Sequence, residues 1–425
     1  MARGSPADKL SDRREPVSVV RNRTVAGVGL ASLFSDTGHE MATAALPGFL
    51  NALGAPAAAL GAIEGFADAA LSSSKLLGGA VADRPGVDRR QVTAAGYLVT
   101  GLGYGSFAFA GGWPAVAIGR AVAWSARGFR TPAREALLAD TVPPAYLGRA
   151  FGVERAGDSI GAIIGPLLAA ALIGAVGYRH LFWISVIPAL GAALSVLLLA
   201  REVPRVREAA HHVGLGIRKL ATAPGRFRSL LAGVGLYGLG NFSATLLILR
   251  ATEILSNGGR SAESAASIAV LLYTGHNAAN AVAAYPAGAL ADAVGRRLVL
   301  VAGVALFALA CLAFAFSPTS IPLLAVLFMA VGTSTAVVET AEGSHAAELL
   351  PEAIRGRGYG LIGLVDGVGD LISSIAVGLL WTLTSPAWGF GYAAVLSGLG
   401  VVVLLPGVRR RSIAERGRGR LDPVS

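Results

Sequence analysis

Gly79-Ala80-Val81-Ala82-Asp83-Arg84-Pro85-Gly86 recurs 209 residues later as Gly288-Ala289-Leu290-Ala291-Asp292-Ala293-Val294-Gly295. The match is not isolated. Val142-Pro143-Pro144 returns as Leu350-Pro351-Glu352, Gly148 and Gly152 as Gly356 and Gly360, Asp158 as Asp366, and Gly161 as Gly369, all at an offset of 208. Matched regions at one offset imply a chain built from two copies of one unit. In membrane carriers, copies related by an axis along the membrane normal place a binding site near the midplane between them.

The membrane enters through composition. Of 425 residues, 54% are hydrophobic and only 15% charged, against about 25% charged in an ordinary soluble domain. The apolar residues fall in blocks of roughly 20, the length of a helix that crosses a hydrocarbon core. The blocks are rich in Ala, Gly and Leu and longer than a barrel strand, so helices rather than a barrel satisfy the backbone in lipid. The spacing predicts spans at 24–50, 57–82, 92–111, 114–140, 150–174, 179–200, 229–252, 265–291, 298–316, 321–349, 359–383 and 388–406. The first is read as an uncleaved span rather than a signal peptide, because Asp36, His39 and Glu40 interrupt its apolar run and no small-residue cleavage site follows.

Between spans, charge alternates. Arg21 and Arg23, Arg84 to Arg90, Arg149, Arg201 to Arg228, Arg296 and Arg297, Arg355 and Arg357, and Arg409 to Arg420 mark one set of connectors. Apart from Arg179 and Arg260, the other set is nearly bare. The positive-inside rule places both termini in the cytoplasm of a multi-pass cell-membrane protein. The net charge of +10 then belongs to loops facing anionic lipid head groups, not to nucleic acid. The expected organisation is a basic tail at 1–23, a six-helix bundle at 24–200, a cytoplasmic linker at 201–228, a second six-helix bundle at 229–406 and a basic tail at 407–425.

The residues after span 2 resemble the G-x-x-x-D-R/K-x-G-R-R/K signature of the major facilitator superfamily. They read Gly79, Asp83, Arg84, Gly86, Arg89 and Arg90, with one extra residue before the arginines. The second copy, Gly288, Asp292, Gly295, Arg296 and Arg297, keeps the spacing with Ala293 in the basic position. Ser35-Asp36, Glu40, Leu46-Pro47 and the run from Arg127 to Leu137 are similar to a prokaryotic branch of permeases of mostly unassigned substrate. The resemblance implies an all-α membrane protein of 12 transmembrane helices in two six-helix bundles related by pseudo-twofold symmetry. In such a protein the duplicated loop is a gate that latches the bundles in one access state; the plainer alternative is a turn glycine among topological charges. Gly161, Gly165 and Pro166 resemble an antiporter motif for close packing at the bundle interface, although the downstream glycine pair is replaced by Leu168 and Ala169. Ordinary helix packing is the alternative.

Ionisable residues inside spans are costly and face a cavity or one another. Asp36, His39 and Glu40 share a face of span 1; Glu64, Asp68 and Lys75 form a stripe on span 2; Arg120, Arg127, Arg130 and Arg134 form one on span 4. Glu154, Arg155 and Asp158 follow on span 5. The second half carries Arg250, His276, Asn277, Asn280, Glu339, Glu342, Asp366 and Asp370. Fixed salt bridges are expected for Arg130, Arg134, Glu135, Glu154, Arg155 and Lys75. A substrate or proton-coupling role is expected for Asp36, Glu40 and Asp68, whose depth matches the repeat interface. Desolvation disfavours a charged carboxylate, so such groups can exchange protons. Arg120 and Arg127 suit either anion binding or pairing with those acids. His39 and His276 could carry protons but are too few for a metal cage; a carboxylate-assisted cation site stays open. Cys311, the single cysteine, reads as a core thiol.

The sequence therefore reads as a monomeric, proton-coupled secondary transporter of a small molecule, without cofactor, with efflux favoured over uptake or metal export. A primary pump is disfavoured because no phosphate-binding loop is present. A receptor or membrane enzyme is disfavoured because no metal motif, nucleophile elbow or sizeable extramembrane domain is read. The orientation has a direct check. With Cys311 replaced, a cysteine at Arg416 is expected to resist a membrane-impermeant thiol reagent in intact cells. Labelling there on folded protein would reverse the topology.

Overall fold

A computed structural model of the chain describes residues 22–82, 84, 86–143, 147–202, 225–316, 320–349 and 352–418. Asp83, assigned above to the gate, lies outside the described residues, as do Pro144, Leu350, Pro351 and most of the expected linker and tails. The described residues are nearly all helical. The first half comprises α1 (Arg23–Ala52), α2 (Ala57–Ala82), α3 (Arg89–Gly105), α4 (Trp113–Ala139), α5 (Leu147–Ile184) and α6 (Val186–Leu199). The second comprises α7 (Gly225–Gly238), α8 (Ala244–Asn257), α9 (Ala262–Val294), α10 (Arg296–Ala315), α11 (Ile321–Leu349), α12 (Glu352–Leu383) and α13 (Pro386–Arg418).

Burial is inverted relative to a soluble protein. Arg120 is 1% exposed and Leu198 is 70% exposed, the pattern of an apolar exterior facing lipid around a polar interior. Ala150–Leu199, Arg296–Ala315, Ile321–Ala346, Leu361–Leu383 and Pro386–Leu405 are long and apolar enough to cross a membrane by length and composition alone. The first four helices, by contrast, carry several ionisable residues, and Glu64 with Arg120 and Asp36 with Arg127 pair between neighbouring helices.

The helix ends follow local chemistry. Asn22 Oδ1 accepts from the backbone N–H groups of Thr24 and Val25 to start α1, and Asp88 accepts from those of Arg90 and Gln91 to start α3. Gly86 and Gly295 occupy equivalent turns with φ of +81° and +105°, a region open to glycine and costly for other residues. The basic residues beside these turns donate to backbone carbonyls of helices within their own half. Arg89 Nε donates to Ala82 O, Arg296 to Ser344 O and Arg297 to Leu404 O. Arg90 lies near Asp88, Arg296 near Asp292, and Arg84 is exposed.

Three features depart from the expected spans. Spans 5 and 6 meet at a break within α5, where Gly177 takes φ 73°, and a second break follows at Ser185. Helix α13 continues past 406 to Arg418. The expected continuous span 229–252 is interrupted between α7 and α8. There Gly240 packs so closely that an added Cβ would lie 2.8 Å from Ala393 O. Asn241 turns its amide to another helix, and Ser243 restarts the helix by accepting from Thr245 N. A correction also applies to the reading of enzyme motifs. Gly157-Asp158-Ser159-Ile160-Gly161 has the letters of a nucleophile elbow, yet lies in the interior of α5, without the strand–turn–helix that exposes the serine.

Helix α1 packs on α5 and α6, and α2 on α4; in the second half α9 packs on α11, and α10 on α13. The halves meet along α2–α12 and α5–α9. Gly161 and Gly165 belong to the α1–α5 contact, where added Cβ atoms would lie 2.5 Å from Leu33 O and 2.6 Å from Thr37 O. Their close packing is thus within the first half. Pro166 continues the same helix, and Gly369 opposes Gly238 inside the second half. Across the seam, Gly61 fits against Ser374 and Gly378 against Ala57, while Ala58 N donates to Thr382 Oγ1. These contacts lie at the end of the bundle with bare loops. At the other end Lys75 and Arg155 are exposed.

At Gly61 an added Cβ would lie 2.1 Å from Ser374 O, a backbone atom. Gly61→Ala is therefore expected to part α2 from α12 at the bare end. With Cys311 replaced, labelling of a cysteine at Thr245 from that side should accelerate by about tenfold, the effect of a shift of about 1.4 kcal/mol between access states. Unchanged labelling would show that this contact does not control access.

Candidate binding site at the seam

The site begins with a charge that lipid does not tolerate alone. Arg120 on α4 is fully buried, and its Nη2 donates to Glu64 Oε2 on α2 at 2.8 Å. Its Nη1 donates to Thr43 Oγ1 at 3.0 Å and to Tyr104 OH at 2.9 Å. The Trp124 ring, one turn along α4, lies 4.7 Å from the guanidinium carbon, within cation–π range. Because Tyr104 oxygen accepts from Arg120, its single proton is free to donate to His39 Nδ1, 2.6 Å away. That assigns the imidazole proton to Nε2, which lies 3.5 Å from Glu40 Oε1. One polar chain thus runs from Glu64 through Arg120, Tyr104 and His39 to Glu40.

The second half completes the chain. Tyr273 OH on α9 donates to Glu40 Oε2 at 2.8 Å. Ser243 Oγ, at the break before α8, donates to Glu64 Oε2 at 3.2 Å. Asn241, in the same break, donates to Asp370 Oδ1 on α12 at 2.9 Å. These groups enclose a cavity of about 200 Å³ lined by His39, Glu40, Thr43, Glu64, Asp68, Arg120 and Trp124 from the first half. From the second half come Asn241, Phe242, Ser243, Ala244, Thr245, Tyr273 and Asp370. An interrupted helix at such a seam supplies backbone and short polar side chains that a continuous helix would hide.

Of the residues singled out from sequence, His39, Glu40, Glu64, Asp68, Arg120 and Asp370 come together around this cavity. Asp36 and Arg127 lie beside it as a charge pair, Oδ1 to Nη1 at 3.1 Å. The pair lacks hydrogen-bond alignment, since Nη1 makes no directed bond. His276 is buried, stacks on Tyr273 and does not line the cavity. Asn280 is half-buried on α9 and outside the lining, whereas its neighbour Asn277 donates to Ala162 O across the seam. Glu339 is exposed and also outside the lining. Asp366 and Glu342 lie near each other within the second half.

Arg134 pairs with Glu154. Arg130 differs from the expected salt bridge: among the described residues it pairs with no carboxylate. Its guanidinium donates to Ser35 Oγ and Thr100 Oγ1 and sits 4.1 Å over the Tyr97 ring. Hydroxyls and a π face replace the acid there. The sequence reading missed Thr43, Tyr104, Trp124, Asn241, Ser243 and Tyr273. Gly238, Gly240 and Asn241 within an apolar run were the available signal for the broken helix.

The family model of the Major Facilitator Superfamily matches residues 28–257 and 230–423. An uncharacterised MFS-type transporter of Methanocaldococcus jannaschii is 27% identical over 386 residues, covering 90% of this chain and 94% of that one. The cis,cis-muconate transport protein of Acinetobacter baylyi is 29% identical over 279 residues, covering 60% and 62%. In fold, the crystal structure of the nucleoside transporter NupG aligns with a TM-score of 0.74 over 90% of this chain and 98% of that one, at 13% identity. That of a D-xylose-proton symporter aligns with a TM-score of 0.67, over 90% and 97%, at 14% identity. With both halves matched by the family model and a polar cavity enclosed between them, the chain belongs to the major facilitator superfamily of membrane transporters.

Proposed function

We propose that this secondary transporter is proton-coupled, moves its small-molecule substrate by alternating access, and works as an exporter. The observation that carries the reading is the pair of carboxylates shared across the seam: Glu40 held by Tyr273, and Glu64 held by Ser243. Rocking one half against the other must break or remake these hydrogen bonds. A carboxylate that gains or loses a donor changes its hold on a proton, and a differential hold in two states is what coupling requires. Glu40 is the leading carrier because it is held across the seam without the arginine that pairs with Glu64. Asp36, paired with Arg127 beside the cavity, is the second candidate.

In this reading export is an exchange of protons for solute. Carboxyl groups protonated from outside release protons to the cytoplasm and are then empty on the side where the solute is taken up. The reading places both termini and the 201–228 linker in the cytoplasm, with bundles at 24–200 and 229–406, and requires one copy of the chain. The loops at Gly86 and Gly295, with Asp83, Arg84, Arg90, Asp292 and Arg296, serve as the cytoplasmic gate.

The test is uphill transport and counterflow measured in parallel in proteoliposomes. Asp36→Asn or Glu40→Gln is expected to lose accumulation driven by a pH gradient while counterflow, which needs no net proton movement, survives. Accumulation that persists in both single variants and in the double variant would place coupling elsewhere.

A further inference from the structure

We propose that the cavity takes a small organic cation, a protonated amine with an apolar tail, held by Glu64 and Asp68 of the first half and Asp370 of the second. The inference rests on the reading of the seam cavity as the transport site.

The lining is unbalanced in charge. Glu40, Glu64, Asp68 and Asp370 face it, against one guanidinium, Arg120, and the His39 imidazole. Arg120 is already committed to partners within the protein. Both of its terminal nitrogens are engaged by Glu64, Thr43 and Tyr104, while its Nε is buried and makes no hydrogen bond. An anionic ligand at Arg120 would sit beside the Glu64 carboxylate.

A second, independent observation points to a donor as ligand. Glu64 is 2% exposed, lines the cavity, and its Oε1 has no hydrogen-bond partner. Ser243 and Arg120 both go to Oε2. A buried acceptor without a donor is costly, and an ammonium supplies one. One turn along α2, Asp68 takes part in no hydrogen bond or ion pair among the described residues. Asp370 has one oxygen held by Asn241. The rest of the lining suits an apolar tail. Trp124 already carries Arg120 on its ring, but Phe242 and Tyr273 offer further π faces. Because the anchoring carboxyls come from both halves, the same cation could follow the site through the rocking motion.

Three probes with one aromatic tail separate the possibilities: 2-phenylethylamine, 2-phenylethanol and 3-phenylpropionate, each tested for binding to the full chain in nanodiscs by calorimetry. The amine is expected to bind at least about tenfold more tightly than the alcohol, and the acid not measurably. Asp68→Asn and Asp370→Asn, each checked for a monodisperse folded peak, should each weaken the amine by about tenfold or more. Tighter binding of the acid, or amine binding unchanged in both variants, would overturn the inference. So would the failure of the amine together with tetramethylammonium and putrescine. Counterflow separates this failure from that of the transport reading. Exchange of the acid in proteoliposomes would leave a transporter with a different substrate, whereas amine binding without exchange would leave a cation site that does not transport.

Discussion

A guanidinium in the middle of a membrane protein must find partners for its charge, and the arrangement around Arg120 follows from that requirement. Replacing water around a buried charge is expensive unless the geometry of its partners is good. Arg120 meets it with Glu64, two hydroxyls and an indole ring. The same contacts fix the Tyr104 proton on His39 and so direct His39 toward Glu40. A single ion pair therefore sets the protonation pattern of a chain that reaches the seam. The second half reads that chain through two hydroxyls, Ser243 and Tyr273.

The seam has a matching steric logic. Small residues at Gly61 and Gly378 let α2 and α12 approach until backbone meets backbone, as membrane helices do where no hydrophobic force draws them together. The second half opens its helix between α7 and α8 in the same layer, so that Asn241 and Ser243 can reach carboxylates on α12 and α2. Close packing and unwinding thus cooperate: one brings α2 and α12 together toward the bare end, and the other supplies polar groups that line the cavity.

Much of this was legible in the residues. The repeat of Gly86 as Gly295 marks two turns in which the structure gives both glycines a positive φ. The charge stripes on spans 1, 2 and 4 converge because a polar side chain in lipid has few places to go. What could not be read was partnership across the repeat. Tyr273 and Ser243 are ordinary residues in their own helices and matter only through side chains 233 and 179 positions away. The break at 239–243 was hidden because Leu239 and Phe242 kept the hydropathy of the segment high. Arg130 was read as an ion pair because composition offers acids nearby, whereas hydroxyls and a tyrosine ring hold it.

If Arg120 and Glu64 act as one unit, removing either leaves the other exposed to the full cost of burial, and removing both does not. The direct measurement is a double-mutant cycle of unfolding stability in nanodiscs with Glu64→Gln, Arg120→Met and the pair. Breaking a buried ion pair by removing one partner costs about 3–5 kcal/mol. Each single variant is expected to lose stability on that scale, with the double variant losing far less than the sum. Additive losses would contradict the account, because they would mean that the two charges are accommodated independently and that nothing in the site depends on their pairing.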